Sequence, residues 1–556
     1  MVQDLGFAHA PSLVLSSVVA SSFRVADWGV MALYFAALVA SGIYFSRRSK
    51  KAAAEGHSQT DEYFTAARTM PIWAVAISII ATSLSAATFI GAPQQSFAGD
   101  LTYLSTNIGG LIAVTIVAFV FIPVFYRANV VSIYELLEHR FGRSAKLAAS
   151  GTFMLGRVFA SGARIFIASI PLAIMLFGDS GKEQQPTYQL IIGIWLLSAC
   201  AVGYTLAGGI ASVIWTEVVQ TAILLGAVIA AVVILLMKIP APIGDIWSAL
   251  STAGANGASK LRVIDFSWDL AKPFSLPAVV IGFTLLNLAS YGTDHDLVQR
   301  MLTCKNAVAG GRSVLLAIAL GIPIVLLFLT IGLLLFVFYR MPALMGDAVP
   351  GYATDDSRTV FLNFILKEMP PGLSGVMLAG LFAAGLSSLN SALNAMAATA
   401  IKDFYVHAAP AKSDRHYLIA GRMAVVGWGV VLAGFATFCV FWQRAEGQTL
   451  IDLALSVMNF AYAGLLAVFL TAIMTKRGTA GSAIAALAVG FVVITLLQKP
   501  VWGVWAKWIP MKSGTLADVT LSYPWHLPIA ATICMLVCCA TRRSETNVVA
   551  GPDSAT

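Results

Sequence analysis

Between Gly380 and Tyr405 the chain reads GLFAAGLSSLNSALNAMAATAIKDFY, a hydrophobic run that carries Ser387, Ser388, Asn390, Ser391, Asn394 and Thr399. Such polar groups are costly in lipid unless something satisfies them. Ala384, Ser387, Ser388 and Ser391 follow helical spacing, so small side chains and hydroxyl oxygens share one face. That face suits two uses: close packing of another helix, or contact with a dehydrated ion. A second cluster, ATSLSAATF at residues 81–89, sets Thr82, Ser83, Ser85 and Thr88 within an Ile- and Ala-rich stretch. Two explanations stand there as well. One is a broken helix whose freed carbonyls are met by hydroxyls or a bound ion, and the other is small-residue packing.

Charged residues add a third group. Arg157 and Arg164 lie seven apart, hence on one face of a long apolar helix, and no acid occurs in the same run. Arg157 is close enough to the helix end to snorkel toward water. Arg164 is deeper, and its guanidinium suits either a substrate carboxylate or a carboxylate on another helix. Glu217 falls one or two turns inside its run and needs a cation or a hydrogen-bond donor. In NLASYGTDHDLVQR, Asn287, Ser290 and Gly292 interrupt another apolar run, followed by Asp294 and Asp296, read as a solvated end pairing with Arg300. His295 has no second His or Cys at ligand spacing, so a metal centre is not expected there. Tyr103 and Asn107 share a face four residues apart.

The elements that must hold these residues are membrane helices. Of 556 residues, 58% are hydrophobic and 11% charged, far from the roughly 25% charged residues of a soluble domain. Apolar runs long enough to span a bilayer fall near 27–46, 72–96, 103–126, 148–178, 187–206, 211–237, 275–298, 313–338, 371–400, 418–442, 449–474, 479–498 and 524–541. Thirteen spans place the termini on opposite sides. Arg47, Arg48, Lys50, Lys51, Arg127, Arg140, Arg143, Lys146, Lys305, Arg312, Lys476, Arg477, Arg542 and Arg543 then fall on one side, which predicts the N-terminus outside and the C-terminus inside. The net charge of +8 follows from these inner loops and implies no nucleic-acid partner. Six scattered cysteines suggest neither a disulfide framework nor a zinc site. Residues 1–26 lack a basic leader and read as an extracytoplasmic segment before a retained helix, and 542–556 as a short cytoplasmic tail. No phosphate loop, dinucleotide fingerprint, nucleophile elbow or HExxH pair appears, so the chain is not read as an enzyme.

The pieces ATSLSAATFIG, SIYELLEHRFG, AGGIASVIWTEVVQ, DLVQR and AAGLSSLNSALNA, in this order, resemble the sodium/solute symporter family, including its bacterial sialic acid and sugar branches. The resemblance implies an all-α polytopic membrane protein with a LeuT-type core of two inverted five-helix repeats. Here these would be 72–237 and 275–474, with 27–46 before them and two helices in 479–541 after. It implies a sodium site formed by the carbonyls of Ala81, Leu84 and Ala384 and the hydroxyls of Ser387 and Ser388. A second sodium would use Glu217 and Ser391, although Asn390 stands where the sialic acid branch has a serine. By the same resemblance Ser83, Ser85, Thr88, Tyr103, Asn107 and Arg164 would meet the substrate, with Asn287 and Ser290 from the seventh span. Asn107 and Ser290 depart from the sugar branch, where an acid and an aromatic stand.

Together these features predict sodium-coupled symport of a small carboxylate, such as an acidic sugar, a monocarboxylate or an amino acid, across the cytoplasmic (inner) membrane by alternating access. Na+, the solute and lipid are the expected partners. Two other readings stay open: proton coupling, with Glu217 or Asp294 as carrier, and solute sensing on behalf of a partner protein.

Overall fold

A computed structural model describes residues 24–37, 40, 68–130, 132–178, 185–206, 210–254, 257–348, 357–410, 412–446, 449–511 and 514–541. The tail 542–556 and most of the segment 1–26 lie outside the described residues, as does the second half of the first expected span. In order, the helices are α1 (Val25–Ala37), α2 (Ile72–Ser83), α3 (Ala86–Ala98), α4 (Thr102–Arg127), α5 (Tyr134–Phe141) and α6 (Arg143–Phe177). Then come α7 (Thr187–Thr205), α8 (Ile210–Lys238), α9 (Ile243–Leu250), α10 (Ala278–Thr293), α11 (His295–Leu302) and α12 (Ala307–Arg340). The last six are α13 (Val360–Glu368), α14 (Leu373–Ala408), α15 (Asp414–Glu446), α16 (Leu450–Met474), α17 (Ala480–Leu497) and α18 (Tyr523–Cys539). A two-stranded antiparallel ribbon, Pro510–Met511 with Gly514–Thr515, lies between the last two.

Nine of the described helices are long and apolar enough to cross a bilayer, and α2 with α3 makes a tenth span bent by 66°. The protein is thus a multi-pass, all-helical membrane protein. Three further expected spans carry the shorter apolar helices α1, α10 and α18.

Burial sorts the spans. The apolar windows of α14, α6 and α16 are 94, 89 and 89% buried, whereas those of α7, α8, α12, α15 and α17 are 39% buried and present one side to lipid. The serine-bearing helix α14 is therefore an interior strut, packed against α8, α6, α15, α7, α2 and α3.

Two breaks punctuate the interior. At the first, Leu84 is extended (φ −78°, ψ 117°) and Ser85 caps α3 by accepting from Ala87 N at 3.2 Å. Just before it, Thr82 and Ser83 bond back to the carbonyls of Ser78 and Ile79, both at 2.9 Å, which competes with the helical ladder. The break falls inside the polar cluster of residues 81–89.

The second break is displaced from its expected place. Residues 287–292 remain helical and the chain turns extended only at Asp294 (φ −90°, ψ 116°). The reason is local: the Asn287 amide donates to Phe283 O at 2.8 Å and the Thr293 hydroxyl to Ala289 O at 2.7 Å, so these side chains are satisfied by their own helix. Asp294 then caps α11 through Asp296 N at 3.0 Å.

The first helix does more than pack. Asp27 is 1% exposed, and its Oδ1 accepts from Gly372 N (2.7 Å), Gly375 N (3.0 Å) and Ser374 Oγ (2.5 Å), capping α14 from another helix. A carboxylate there satisfies donors that α14 cannot bond itself and complements the helix dipole. Asp27→Ala is expected to cost about 2 kcal/mol by stranding these donors. A lowered midpoint of thermal unfolding in detergent is the check, and an unchanged midpoint would refute the cap.

Candidate functional site

Where α14 crosses the first break, the residues singled out in the sequence converge. Ala81 and Leu84 lie on one side and Ala384, Ser387 and Ser388 on the other, all between 2 and 7% exposed. The Ser387 hydroxyl lies 3.5 Å from Ala81 O and 3.1 Å from Glu217 Oε1. Ser388 donates to Gly385 O at 3.1 Å, and a Cβ on Gly385 would sit 3.8 Å from Ala86, at the start of α3. Unwinding at Leu84 removes carbonyls in this region from the helical ladder, and neutral oxygens of this kind suit a hard monovalent cation.

Below this crossing lies a charge network. Glu217 Oε1 accepts from Ser391 (2.8 Å), Ser387 (3.1 Å) and Arg300 Nη2 (3.0 Å), while Oε2 accepts from Ser78. Arg300 also donates from Nη2 to Ser391, from Nε to Ser78 Oγ (3.0 Å), and from Nη1 to Asp296 Oδ1 (2.5 Å). Arg157 reaches Asp294 Oδ1 at 2.5 Å and Asp296 Oδ2 at 3.0 Å, and Tyr462 donates to Asp294 Oδ2 at 2.7 Å. No charged side chain in this network is more than 4% exposed.

Two readings from the sequence change here. Arg157 does not snorkel: it is buried and paired. Asp294 and Asp296 do not form a solvated helix end: each is 1% exposed, although Asp296 does pair with Arg300. Glu217 was expected to need a partner, and Arg300, Ser78, Ser387 and Ser391 provide it. Sequence reasoning missed Ser78, Arg300, Tyr291 and Tyr462 as site residues. The four-residue spacing of Asp296 and Arg300 was the one legible signal among them.

Arg164, two turns along α6 from Arg157, has no carboxylate partner among the described residues. Its one hydrogen bond, from Nη1 to Thr82 O at 3.5 Å, aims it at the first break. Ser83 lies on the same side, 3.2 Å from the Tyr291 hydroxyl. Ser290 is beside Tyr462. Ser85 is spent on its cap, and Thr88 stands half-buried one turn further into α3.

Asn107 and Asn287 turn their amides to Leu104 O and Phe283 O, at 2.9 and 2.8 Å. Tyr103 is within electrostatic reach of Tyr291 and Asp452. It packs edge-on to Phe274 and lines an outer cavity of about 260 Å³ with Gln95, Asp100, Arg262, Asp265 and Lys272. None of the other expected substrate residues lines that cavity.

Comparison with known proteins gives a consistent picture. The profile of the sodium:solute symporter family matches residues 63–490. The chain is 29% identical over 477 residues to the sodium/sialic acid symporter SiaT of Proteus mirabilis, covering 85% of this chain and 89% of that protein. It is likewise 29% identical over 472 residues to the sodium/sialic acid symporter NanT of Aliivibrio fischeri, covering 84 and 86%. A solved structure, described as a substrate-bound outward-open state of a Na+-coupled sialic acid symporter, superposes with a TM-score of 0.73. It covers 93% of this chain and 98% of that one at 24% identity, a likeness that shows the fold.

Removing one member of a buried ion pair strands the other. Arg300→Met is expected to cost about 3–5 kcal/mol, because Glu217 loses its cation and Asp296 keeps only Arg157. Glu217→Gln added to it is expected to recover at least about 1 kcal/mol. Unfolding of the four members of this double-mutant cycle in one detergent measures both, and strictly additive losses would contradict the pairing.

Proposed function

Since the chain belongs to the sodium:solute symporter family, we propose that the crossing of α2, α3 and α14 is its cation site and that its solute is a small carboxylate. The protein is a sodium-coupled symporter and not an enzyme. In the proposed site the carbonyls of Ala81, Leu84 and Ala384 and the hydroxyls of Ser387 and Ser388 hold Na+. A hydroxyl oxygen can coordinate a cation through its lone pairs while its proton goes elsewhere. Ser387 is placed for this, because Glu217 Oε1 is within 3.1 Å to take that proton. Glu217 and Ser391 are the remaining oxygens on which a second sodium would draw, in competition with Arg300.

The observation that carries the substrate reading is Arg164. Arg157 and Arg300 are each bonded to carboxylates, and Arg164 is bonded to none among the described residues. A half-buried guanidinium with no carboxylate partner among the described residues is suited to receive one, and a planar fork suits a carboxylate. Ser83, Ser85, Thr88, Asn107, Asn287 and Ser290 would complete the pocket, with Tyr103 at its outer approach. The sialic acid symporters among the relatives support an acidic sugar as the first solute to try.

Transport then follows as a population shift. Sodium entering from outside favours the arrangement in which the break is formed, the carboxylate binds beside it, and both leave when the inner side opens. Each charge moved through 100 mV yields about 2.3 kcal/mol, enough for a roughly fifty-fold solute gradient. The breaks at Leu84 and Asp294, each in the opening span of 72–237 and 275–474, support reading these segments as inverted repeats. We extend the reading to thirteen spans, the N-terminus outside, the C-terminus inside, and the cytoplasmic membrane as location.

The test is thermal stabilisation of the purified protein by a panel of sialic acids, monocarboxylates, amino acids and neutral sugars, each in sodium and in potassium. A carboxylate that stabilises in sodium alone is the expected result, by linkage of the two ligands. In uptake assays Arg164→Ala should abolish accumulation, and Ser388→Ala should raise the half-saturating sodium concentration about tenfold, the equivalent of about 1.4 kcal/mol. Wild-type uptake by Arg164→Ala would sink the carboxylate assignment, and stabilisation indifferent to sodium would sink the cation site.

A further inference from the structure

The half-helix α3 begins at the cation site and ends, thirteen residues later, under an outer loop that carries a buried amine. Lys260 is 2% exposed. Its Nζ donates to Phe97 O at 3.0 Å and to Gly99 O, the terminal carbonyls of α3, and lies 4.2 Å from the centre of the Phe336 ring on α12. The loop is tied down behind it by Lys260 N to Leu250 O at 3.0 Å.

We propose that Lys260 is a positioning residue, a tethered amine on the loop between α9 and α10 that seats on the C-terminal carbonyls of α3 and thereby holds the half-helix whose other end forms the cation site. This rests on the cation site proposed above.

Three kinds of partner in that seat offset part of what burial costs an ammonium group. Carbonyls in the last turn of a helix lack partners within it, the helix dipole places negative charge there, and an aromatic face attracts a cation. None of the three is a carboxylate. The nearest acid in its influence, Asp100, is taken by Arg262 (Nε 3.0 Å, Nη2 2.8 Å) and by Thr102, and Asp265 is taken by Lys272 at 3.1 Å. The seat therefore holds position through hydrogen bonds, dipoles and the ring face of Phe336. Phe97 packs edge-on against Phe336, so the amine, the helix end and α12 form one contact.

The seat has a proton linkage. Burial pushes the Lys260 amine down from 10.5 to about 8. With the loop lifted into water the amine returns to its ordinary range. Between those pH values the seated arrangement binds fewer protons than the lifted one, so raising the pH favours seating, and below about pH 8 the balance does not depend on pH.

The experiment uses the full-length protein. Acetylation of amines in membranes at pH 7.5, read by mass spectrometry, should modify Lys272, whose side chain is 47% exposed, at least tenfold faster than Lys260. Equal labelling overturns the seat, whichever ion is transported. In proteoliposomes, Lys260→Met should raise the half-saturating sodium concentration several-fold with the maximal rate kept, and Lys260→Arg should stay within about twofold of the wild type. The wild-type sodium requirement should fall from pH 7.5 to 9.5, and that of Lys260→Met should stay flat. A wild-type requirement that ignores pH overturns the proposal, and it needs no variant to fold. So does an arginine variant as impaired as the methionine one. Uptake with no sodium dependence defeats the cation site instead, and the labelling then decides Lys260 by itself.

Discussion

Glu217 is a carboxylate with no bulk water around it, and the interior is arranged so that it never stands alone. Arg300 neutralises it, Ser78, Ser387 and Ser391 hydrogen-bond it, and Arg300 in turn carries Asp296, which meets Arg157. Through these contacts one electrostatic unit joins α2, α6, α8, α11 and α14, and Tyr462 brings in α16. Desolvating so many charges is costly, and buried ion pairs are weak evidence for stability. What the unit provides is uniqueness: a slip of any one helix leaves a bare charge in a low-dielectric interior, so the helices move with their partners or not at all.

This constraint bears on the proposed cation site. Ser387 faces both the break and Glu217, so the hydroxyl that would touch Na+ is also a donor to the fixed network. A cation at the break is thereby felt at Arg300 without any long pathway, through a single shared side chain. The apolar interior above is occupied by small residues on α14, which lets the backbone of the broken span come close enough for carbonyls to serve as ligands.

How much of this could be read from the chain depends on the range of each interaction. Apolar runs, the serine face of α14 and the break at 84–85 are local, and each shows in the spacing of nearby residues. The Asp294 break was placed a turn or two early, because a polar residue in a membrane helix breaks it only when its own backbone cannot satisfy it, and Asn287 and Thr293 find such partners. Arg157 read as a snorkelling residue and Asp294 as a solvated one, since helical periodicity says which face a residue occupies and nothing about which helix faces it. Arg300 and Glu217 are 83 residues apart, and Ser78 lies 222 residues before Arg300. Tyr103 and Asn107 share a helical face by spacing, but the cavity that Tyr103 lines and its edge-on contact with Phe274 depend on a distant loop and do not show in that spacing.

The cap that Asp27 places on α14 joins residues 345 to 348 apart in the chain. At a synthesis rate of roughly 5–20 residues per second, α1 would emerge on the order of 20–70 s before the donors it caps do. Throughout that interval the carboxylate keeps only its local bond from Arg24 N, and the helix it belongs to must wait in or at the membrane. The central strut of the protein is thus a late arrival, closed by its oldest segment. Synthesis order therefore does not follow depth: the 89% buried α6 is made long before α14, and the 39% buried α15 and α17 come after it.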